Sequence, residues 1–338
     1  MEPYAALKRI GFLLDRRREP SYRVKAFHGA AAAIAELSRA ELEALAASGG
    51  LKTLKGVGDV TSAVIVEALA GGIPGYLAKL EGESSWPPPE GASILAALRG
   101  DCHVHSDWSD GGAPIREMAE TAIELGHEYM VLTDHSPRLT IANGLTAERL
   151  RDQLNVVAAL NAELAPFRIL TGIECDILLD GGLDQDPALL AELDIVVASV
   201  HSKLRMEREE MTRRMVMAIA NPHMDILGHC TGRYVVGKNR PESEFDAEIV
   251  FEACRMFGKA VEINSRPERL DPPRRLLRLA EETGCVFTID SDAHAPGQLD
   301  WLPYGSARAE ECGVPPERIM NTRPADELLA WAKSHVQT

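Results

Sequence analysis

The chain has 338 residues, 45% hydrophobic and 26% charged, with a formal net charge of −15 at pH 7. This is a globular composition: no apolar run approaches the ~20 residues that span a bilayer, and the N-terminus lacks the apolar stretch of a signal peptide, so the expectation is a cytoplasmic protein with no membrane partner. The acidic balance argues against strong non-specific nucleic-acid binding by the chain as a whole.

The charge is uneven. Residues 1–95 hold 11 Lys+Arg and 11 Asp+Glu, so the whole −15 falls on the remainder. Bound divalent cations would offset part of that acid locally. The six cysteines, Cys102, Cys175, Cys230, Cys254, Cys285 and Cys312, form no C-x-x-C pair. They read as reduced, buried small residues with no disulfide framework.

Residues 4–18 place Leu7, Ile10, Leu13 and Leu14 at helical spacing and end in Arg16-Arg17-Arg18, where cations suit the helix dipole. Ser21 is placed to cap a second helix carrying Val24, Phe27, Ala31 and Ile34 on one face. Ser38-Arg39-Ala40-Glu41 reads as a capping box opening a third helix that ends near Gly49-Gly50. Leu54-Lys55-Gly56-Val57-Gly58-Asp59 then leads into a fourth helix, stopping at Gly71-Gly72. Two glycines in such a turn let backbone N–H groups approach a phosphate at a helix N-terminus. The plainer reading is a tight turn between helices. The unit resembles a helix-hairpin-helix, and residues 4–80 as a whole resemble the small N-terminal domain of family X DNA polymerases. The resemblance implies DNA contacts from Lys52, Lys55, Gly56 and Gly58. Two positions depart from the family. Asp59, a good N-cap, stands where a basic or small polar residue is usual, and its charge opposes a phosphate. Val64 stands where members with lyase activity carry a Schiff-base lysine, so lyase chemistry is not expected.

Residues 81–91, with three consecutive prolines among Glu, Ser and Gly, read as a linker. A short helix over residues 92–99 completes the connection. The expected domains are therefore 1–80, helical; 81–99, linker and short helix; and 100–338, α/β. In the last, apolar β-branched runs alternate with amphipathic segments such as residues 114–125 and 147–164. Seven strands are expected, ending near His105, Thr133, Ile173, Ser199, Gly228, Asn264 and Ile289. Strand–helix alternation implies parallel strands with right-handed crossovers.

Chemistry-bearing residues recur where these strands end. His103 and His105 alternate onto one face, with Asp110 a short loop away. His135, Glu174, His201, His229, Asp292 and His294 follow at later strand ends. Six of the ten histidines thus lie at strand ends. A lone histidine there is usually just a satisfied polar residue; six together indicate a metal site, the arrangement by which a β/α barrel builds its active face. His28, His127, His223 and His335 read as ordinary residues of a helix, a helix end, a loop and the tail.

The motifs His103-x-His105, Thr133-Asp134-His135-Ser136, Gly172-Ile173-Glu174, Ser199-Val200-His201-Ser202, Gly228-His229 and Ser291-Asp292-Ala293-His294 resemble those of the polymerase-and-histidinol-phosphatase (PHP) family. They cover about residues 100–325, in family order. Asp225-Ile226-Leu227-Gly228-His229-Cys230-Thr231-Gly232-Arg233 and Glu262-Ile263-Asn264-Ser265-Arg266-Pro267-Glu268-Arg269-Leu270-Asp271 point further, to the PHP domain at the C-terminus of bacterial family X DNA polymerases. The palm that would lie between head and PHP domain is missing, so polymerase activity is not expected. The resemblance implies an α/β fold, a distorted (β/α)7 barrel after a small all-α domain, and two or three divalent metal ions. It assigns His103, His105, Glu174 and Asp292 to one ion; Glu174, His201 and His229 to a second; and Asp110, His135 and His294 to a third. Imidazole with carboxylate suits Zn²⁺, Mn²⁺ or Fe²⁺. Such ions lower the pKa of a bound water to about 7 and supply a hydroxide for phosphoester hydrolysis. Arg233 and Arg266 are candidate phosphate clamps, Lys203 could add charge, and Asp134 is a candidate carboxylate for orienting an imidazole. The expected activity is phosphoester hydrolysis on DNA, as a 3′–5′ exonuclease or an abasic-site or 3′-end phosphodiesterase. The alternatives are a small-molecule phosphomonoesterase of histidinol-phosphatase type and a non-catalytic DNA-repair scaffold. Oligomeric state is not legible.

Overall fold

Helical periodicity in the first eighty residues becomes the helices Pro3–Arg16, Ser21–Ile34, Arg39–Ala47, Asp59–Leu69 and Gly75–Gly82 in the computed structural model. The structure describes residues 1–82, 87–88, 90–237 and 239–335. Residues 83–86 and 89 of the expected linker lie outside the described residues. The chain divides into two compact units, Met1–Trp86 and Pro87–Thr338.

In the first unit Leu7, Ile10, Leu14, Phe27, Ile34 and Ile65 form the core. Ser38 and Glu41 make the reciprocal capping box. Ser21 lies inside its helix, capped by Pro20. At the Gly-Val-Gly turn, Val57 is buried in the core. Gly56 takes φ +99°, and a Cβ there would lie 3.0 Å from the Gly29 carbonyl oxygen. Close packing on the helix Ser21–Ile34 therefore requires this glycine. Asp59 does not cap the fourth helix; Gly58 holds that position. Asp59 instead takes the Lys52 ammonium, and the Gly58 N–H donates to Thr61 Oγ1 at 2.9 Å. Lys52, Lys55, Gly56 and Gly58 are all exposed.

The second unit holds seven parallel strands in sequence order: β1 Gly100–Val104, β2 Tyr129–Leu132, β3 Arg168–Asp176, β4 Ile195–Ser199, β5 Ile226–Leu227, β6 Ala260–Asn264 and β7 Val286–Asp290. Val, Ile and Leu dominate them because both faces are covered. β3 is the longest. Its first half pairs with β2 and its second half, from Gly172, with β4. That stagger carries the Glu174 end of β3 past the end of β2, and it distorts the barrel. Helices such as Ile115–Glu124, Ala147–Leu164 and Arg208–Ile219 make crossovers. Between β3 and β4 the only described α-helix is the four-residue Pro187–Leu190, a departure from regular alternation.

Between β7 and β1 the ladder shrinks to the bridge Val104↔Ala293. Side chains close the rest of this seam. The buried Asn321 amide donates to the carbonyls of Gly100 (2.9 Å) and Ile289 (2.7 Å) and accepts from Ile289 N–H (3.1 Å). Asp290 accepts from Cys102 N–H at 2.8 Å, and Asp101 accepts from Ser291. His335, expected in a solvated tail, is buried: its Nδ1 lies 2.7 Å from Asp225 Oδ1. All six cysteines are free and buried.

Candidate metal centre

Each strand delivers its polar residue at the C-terminal end, where the ladder stops and side chains converge. His103 ends within β1 and Glu174 within β3; His105, His135, His201, His229, Asp292 and His294 follow their strands within three residues or fewer of the strand end or one turn beyond. The His105 N–H donates to the Ala293 carbonyl at 2.9 Å, tying the first and last ligand loops together.

Glu174, 1% exposed, is the hub. Its Oε1 lies 3.2 Å from His201 Nε2 and 3.0 Å from His229 Nε2. Its Oε2 lies 2.9 Å from His135 Nδ1, 3.4 Å from His103 Nε2 and 3.6 Å from His105 Nε2. Asp110 Oδ1 lies 3.3 Å from His294 Nε2 and 3.5 Å from His135 Nε2. Asp292 Oδ1 lies 3.6 Å from His105 Nε2 and 3.5 Å from His294 Nδ1. The structure thus brings all nine candidate residues together. Three groups could each hold an ion: His105, Asp110, His135 and His294; His103, His105 and Glu174; and His135, Glu174 and His201. The resemblance shares only Glu174 between sets; here His105 and His135 are shared as well, His135 facing both Glu174 and Asp110.

The donor chemistry fits cations. Both Glu174 oxygens, His103 Nε2, and both ring nitrogens of His105, His201 and His229 are buried without a hydrogen-bond partner. Buried polar atoms are normally satisfied, so this many orphans around one carboxylate mark positions for ligands. Burial would raise the Glu174 pKa, but the charges of His201, His103 and His135 outweigh it and hold the carboxyl well below the usual range. Burial, with His294, His135 and His103 nearby, pushes His105 well down and keeps it neutral, the form that coordinates. His201 is pulled down by burial but raised more by Glu174 and Asp176, to about 9.

Supporting carboxylates position the ligands. The His103 ring Nδ1 lies 2.6 Å from Glu262 Oε1, whose other oxygen accepts the His229 backbone N–H at 2.5 Å. Asp176 accepts the His201 backbone N–H at 3.1 Å. Neither Glu262 nor Asp176 stood out as a site residue in the sequence. The signal was there: Glu262 interrupts an apolar strand on the face of Asn264, and Asp176 shares the face of Glu174.

Asp134 has a different role from the one expected. Among the described residues its recorded partners are Ser106 N–H (2.8 Å), Ser106 Oγ (2.6 Å), Ser109 Oγ and Gln153 Nε2 (2.6 Å), none of them an imidazole. It therefore fixes the loop between His105 and Asp110. Arg233 likewise turns elsewhere: it donates to the carbonyls of Arg269 (3.0 Å) and Leu270 and pairs with Glu242. It braces the loop after β6, and among the described residues it makes no contact with a candidate ligand. Arg266 does reach it, with Nη1 3.5 Å from Asp292 Oδ1 and 3.2 Å from His294 Nδ1. The guanidinium missed by sequence reasoning is Arg269. It is buried, donates from Nε to Asp292 Oδ2 at 3.0 Å, and leaves Nη1 without a partner. Burial would raise Asp292, but Arg266 and Arg269 hold it well down. Lys203 is exposed on the loop after β4, with φ 54°.

Residues 101–266 match the PHP domain family. The chain is 43% identical over 239 residues to the DNA polymerase/3′-5′ exonuclease PolX of Bacillus subtilis (strain 168), covering 71% of this chain and 42% of that protein. It therefore spans less than half the length of that relative. It is 28% identical over 234 residues to a probable phosphatase of Thermoanaerobacter sp. (strain X514), covering 66% of this chain and 89% of the relative. Among solved structures, histidinol phosphate phosphatase from Lactococcus lactis, complexed with zinc, L-histidinol and phosphate, covers 64% of this chain and 94% of that chain, at 22% identity and TM-score 0.45.

Proposed function

The chain carries a PHP domain and is a hydrolase of that phosphoesterase family, and from this premise we propose that it cleaves phosphodiester bonds in DNA, as a 3′–5′ exonuclease or an abasic-site or 3′-end processing enzyme. The observation that carries the reading is Glu174, a buried carboxylate with His201 and His229 against one oxygen and His103, His105 and His135 against the other. Glu174 with His103 and His105, Glu174 with His135 and His201, and Asp110 with His105, His135 and His294 would each hold a cation. Zn²⁺, Mn²⁺ or Fe²⁺ suits the mixed imidazole–carboxylate set. Such ions, when bound, would supply Lewis acidity and a water acidified to about pKa 7.

The chain's own residues do the rest. Glu262 and Asp176 hold His103 and His201 in register. Arg269 and Arg266 place positive charge beside Asp292, where charge builds on a phosphoryl group. Asp110, with a side chain 38% exposed, is the candidate ligand most open to solvent. The domain reading follows: residues 1–80 as a helix-hairpin-helix head presenting Lys52, Lys55, Gly56 and Gly58 to the DNA backbone, residues 81–99 as connector, and residues 100–338 as the hydrolase.

The test is a 5′-labelled oligonucleotide series with free, blocked and abasic 3′ ends, incubated with Mn²⁺-loaded full-length protein. Stepwise shortening or abasic cleavage, lost in His103→Ala, is expected. Turnover of phosphomonoesters with no cleavage of any oligonucleotide would instead favour the small-molecule reading, which the match to nearly the full length of a phosphatase relative supports.

A further inference from the structure

Ile141 is 94% exposed, more than any other large apolar side chain among the described residues. It sits in the one-turn segment Thr140–Ala142 of the loop that leaves the candidate ligand His135. That loop is tied down on every side. Leu145 N–H donates to the His135 carbonyl at 2.7 Å. Asn143, at φ 55°, donates from Nδ2 to the Trp108 carbonyl at 3.1 Å. Arg149 binds the carbonyls of Asn143 (2.7 Å), Gly144 (3.2 Å) and Trp108. A Cβ on Gly144 would fall 1.9 Å from the Ser136 carbonyl oxygen, so the chain closes tightly there. Its neighbours Ala142 and Leu145 are buried.

Trp108 lies between His105 and Asp110. The loop is thus fastened to the wall that carries Asp110, the most exposed of the nine candidate ligands. A stiff β-branched side chain on a braced loop is ordered before anything binds it, so a contact made there costs little further entropy. Three residues earlier the same loop carries Arg138, whose side chain is 61% exposed, with Nε 4.0 Å from Asp176 Oδ2 beside His201. Its backbone is fixed in turn, the N–H donating to Asp184 Oδ2 at 2.9 Å.

We propose that Ile141 is a specificity-determining residue that packs on the nucleobase next to the scissile phosphate of a single-stranded nucleic acid, with Arg138 on the neighbouring phosphate. An apolar contact beside a cation beside a phosphoester site matches the repeat of a polynucleotide: flat base, anionic link. The strand must be single, because in a duplex the base faces are stacked on each other. A small phosphomonoester has nothing to reach this position. The inference rests on the nucleic-acid reading above.

The test compares wild type, Ile141→Ser and Ile141→Leu as full-length proteins. Steady-state cleavage of a single-stranded pentanucleotide and of bis(p-nitrophenyl) phosphate is measured with Mn²⁺, and pentanucleotide binding is followed by anisotropy in EDTA. Expected for Ile141→Ser is about a tenfold rise in pentanucleotide KM and Kd with kcat little moved, so that preference for the nucleotide over the small diester drops by a similar factor; Leu restores most of it. Wild-type Kd and KM in Ile141→Ser, while wild type does cut the pentanucleotide, would overturn the inference and leave the nucleic-acid reading standing. A wild type that hydrolyses the small diester but neither binds nor cuts the pentanucleotide would overturn both.

Discussion

At the scale of single residues, the centre is a balance between buried carboxylates and imidazoles, and its pH behaviour follows. In the metal-free protein His201 is raised from 6.5 to about 9, chiefly by Glu174 and Asp176 against the opposing effect of burial. A raised folded pKa stabilises fully below the unfolded value and is lost as pH rises through the folded one. Asp101, raised by burial from 3.8 to about 7, acts in the same direction at lower pH, because its ionisation in the barrel interior is costly. The urea midpoint of the metal-free protein should therefore fall between about pH 6.5 and 9. Over the same window metal affinity should rise, since ions displace the His201 proton. A flat urea midpoint would contradict the assignment. Glu262 gives a second handle. Glu262→Gln weakens the anchor of His103 and should reduce metal affinity about 10- to 100-fold in a chelator-competition titration, with the fold retained. Eight of the nine candidate ligands were legible because they lie at or just past the ends of apolar runs; Asp110 was legible from the loop after His105. Arg269 was not. Arg233, Arg266 and Arg269 all follow strand ends, and which guanidinium turns inward depends on a backbone path, with Leu270 at φ 45°, that residue types alone do not specify.

At the scale of elements, the seven strands were readable from β-branched runs, and their observed ends lie within a residue or three of those expected. The single helical turn Pro187–Leu190 was not readable as a regular unit, since it is too short to show a period. The β7–β1 seam was also hidden, because its closure runs through side chains far apart in sequence. Asn321 satisfies two carbonyls and one N–H there. Asn321→Leu leaves all three buried groups unpaired and should cost about 3 kcal/mol or more in urea denaturation. A loss under about 1 kcal/mol would mean that the seam closes without it.

At the scale of the whole molecule, a neutral helical unit and an acidic barrel unit divide the charge, and the proposed DNA contact falls to the neutral one. Its turn is compromised by Asp59, which holds Lys52 in an ion pair. Asp59→Ser frees that ammonium and should tighten oligonucleotide binding at low salt by about threefold, whereas Lys55→Glu should weaken it; both effects should shrink as salt rises. The Gly-Val-Gly motif looked phosphate-binding in sequence, yet Gly56 is also required by packing against Gly29. One-dimensional spacing does not separate those two demands on a glycine. The central claim, that Glu174 organises a metal-dependent phosphodiesterase, is tested most directly by one paired measurement. Bound Mn²⁺ and the rate of nucleotide release from a labelled single-stranded oligonucleotide are determined on wild type and Glu174→Gln. The variant is expected to stay folded, bind at least one ion fewer and release no nucleotide above background. Wild-type metal content together with wild-type release in Glu174→Gln would contradict it.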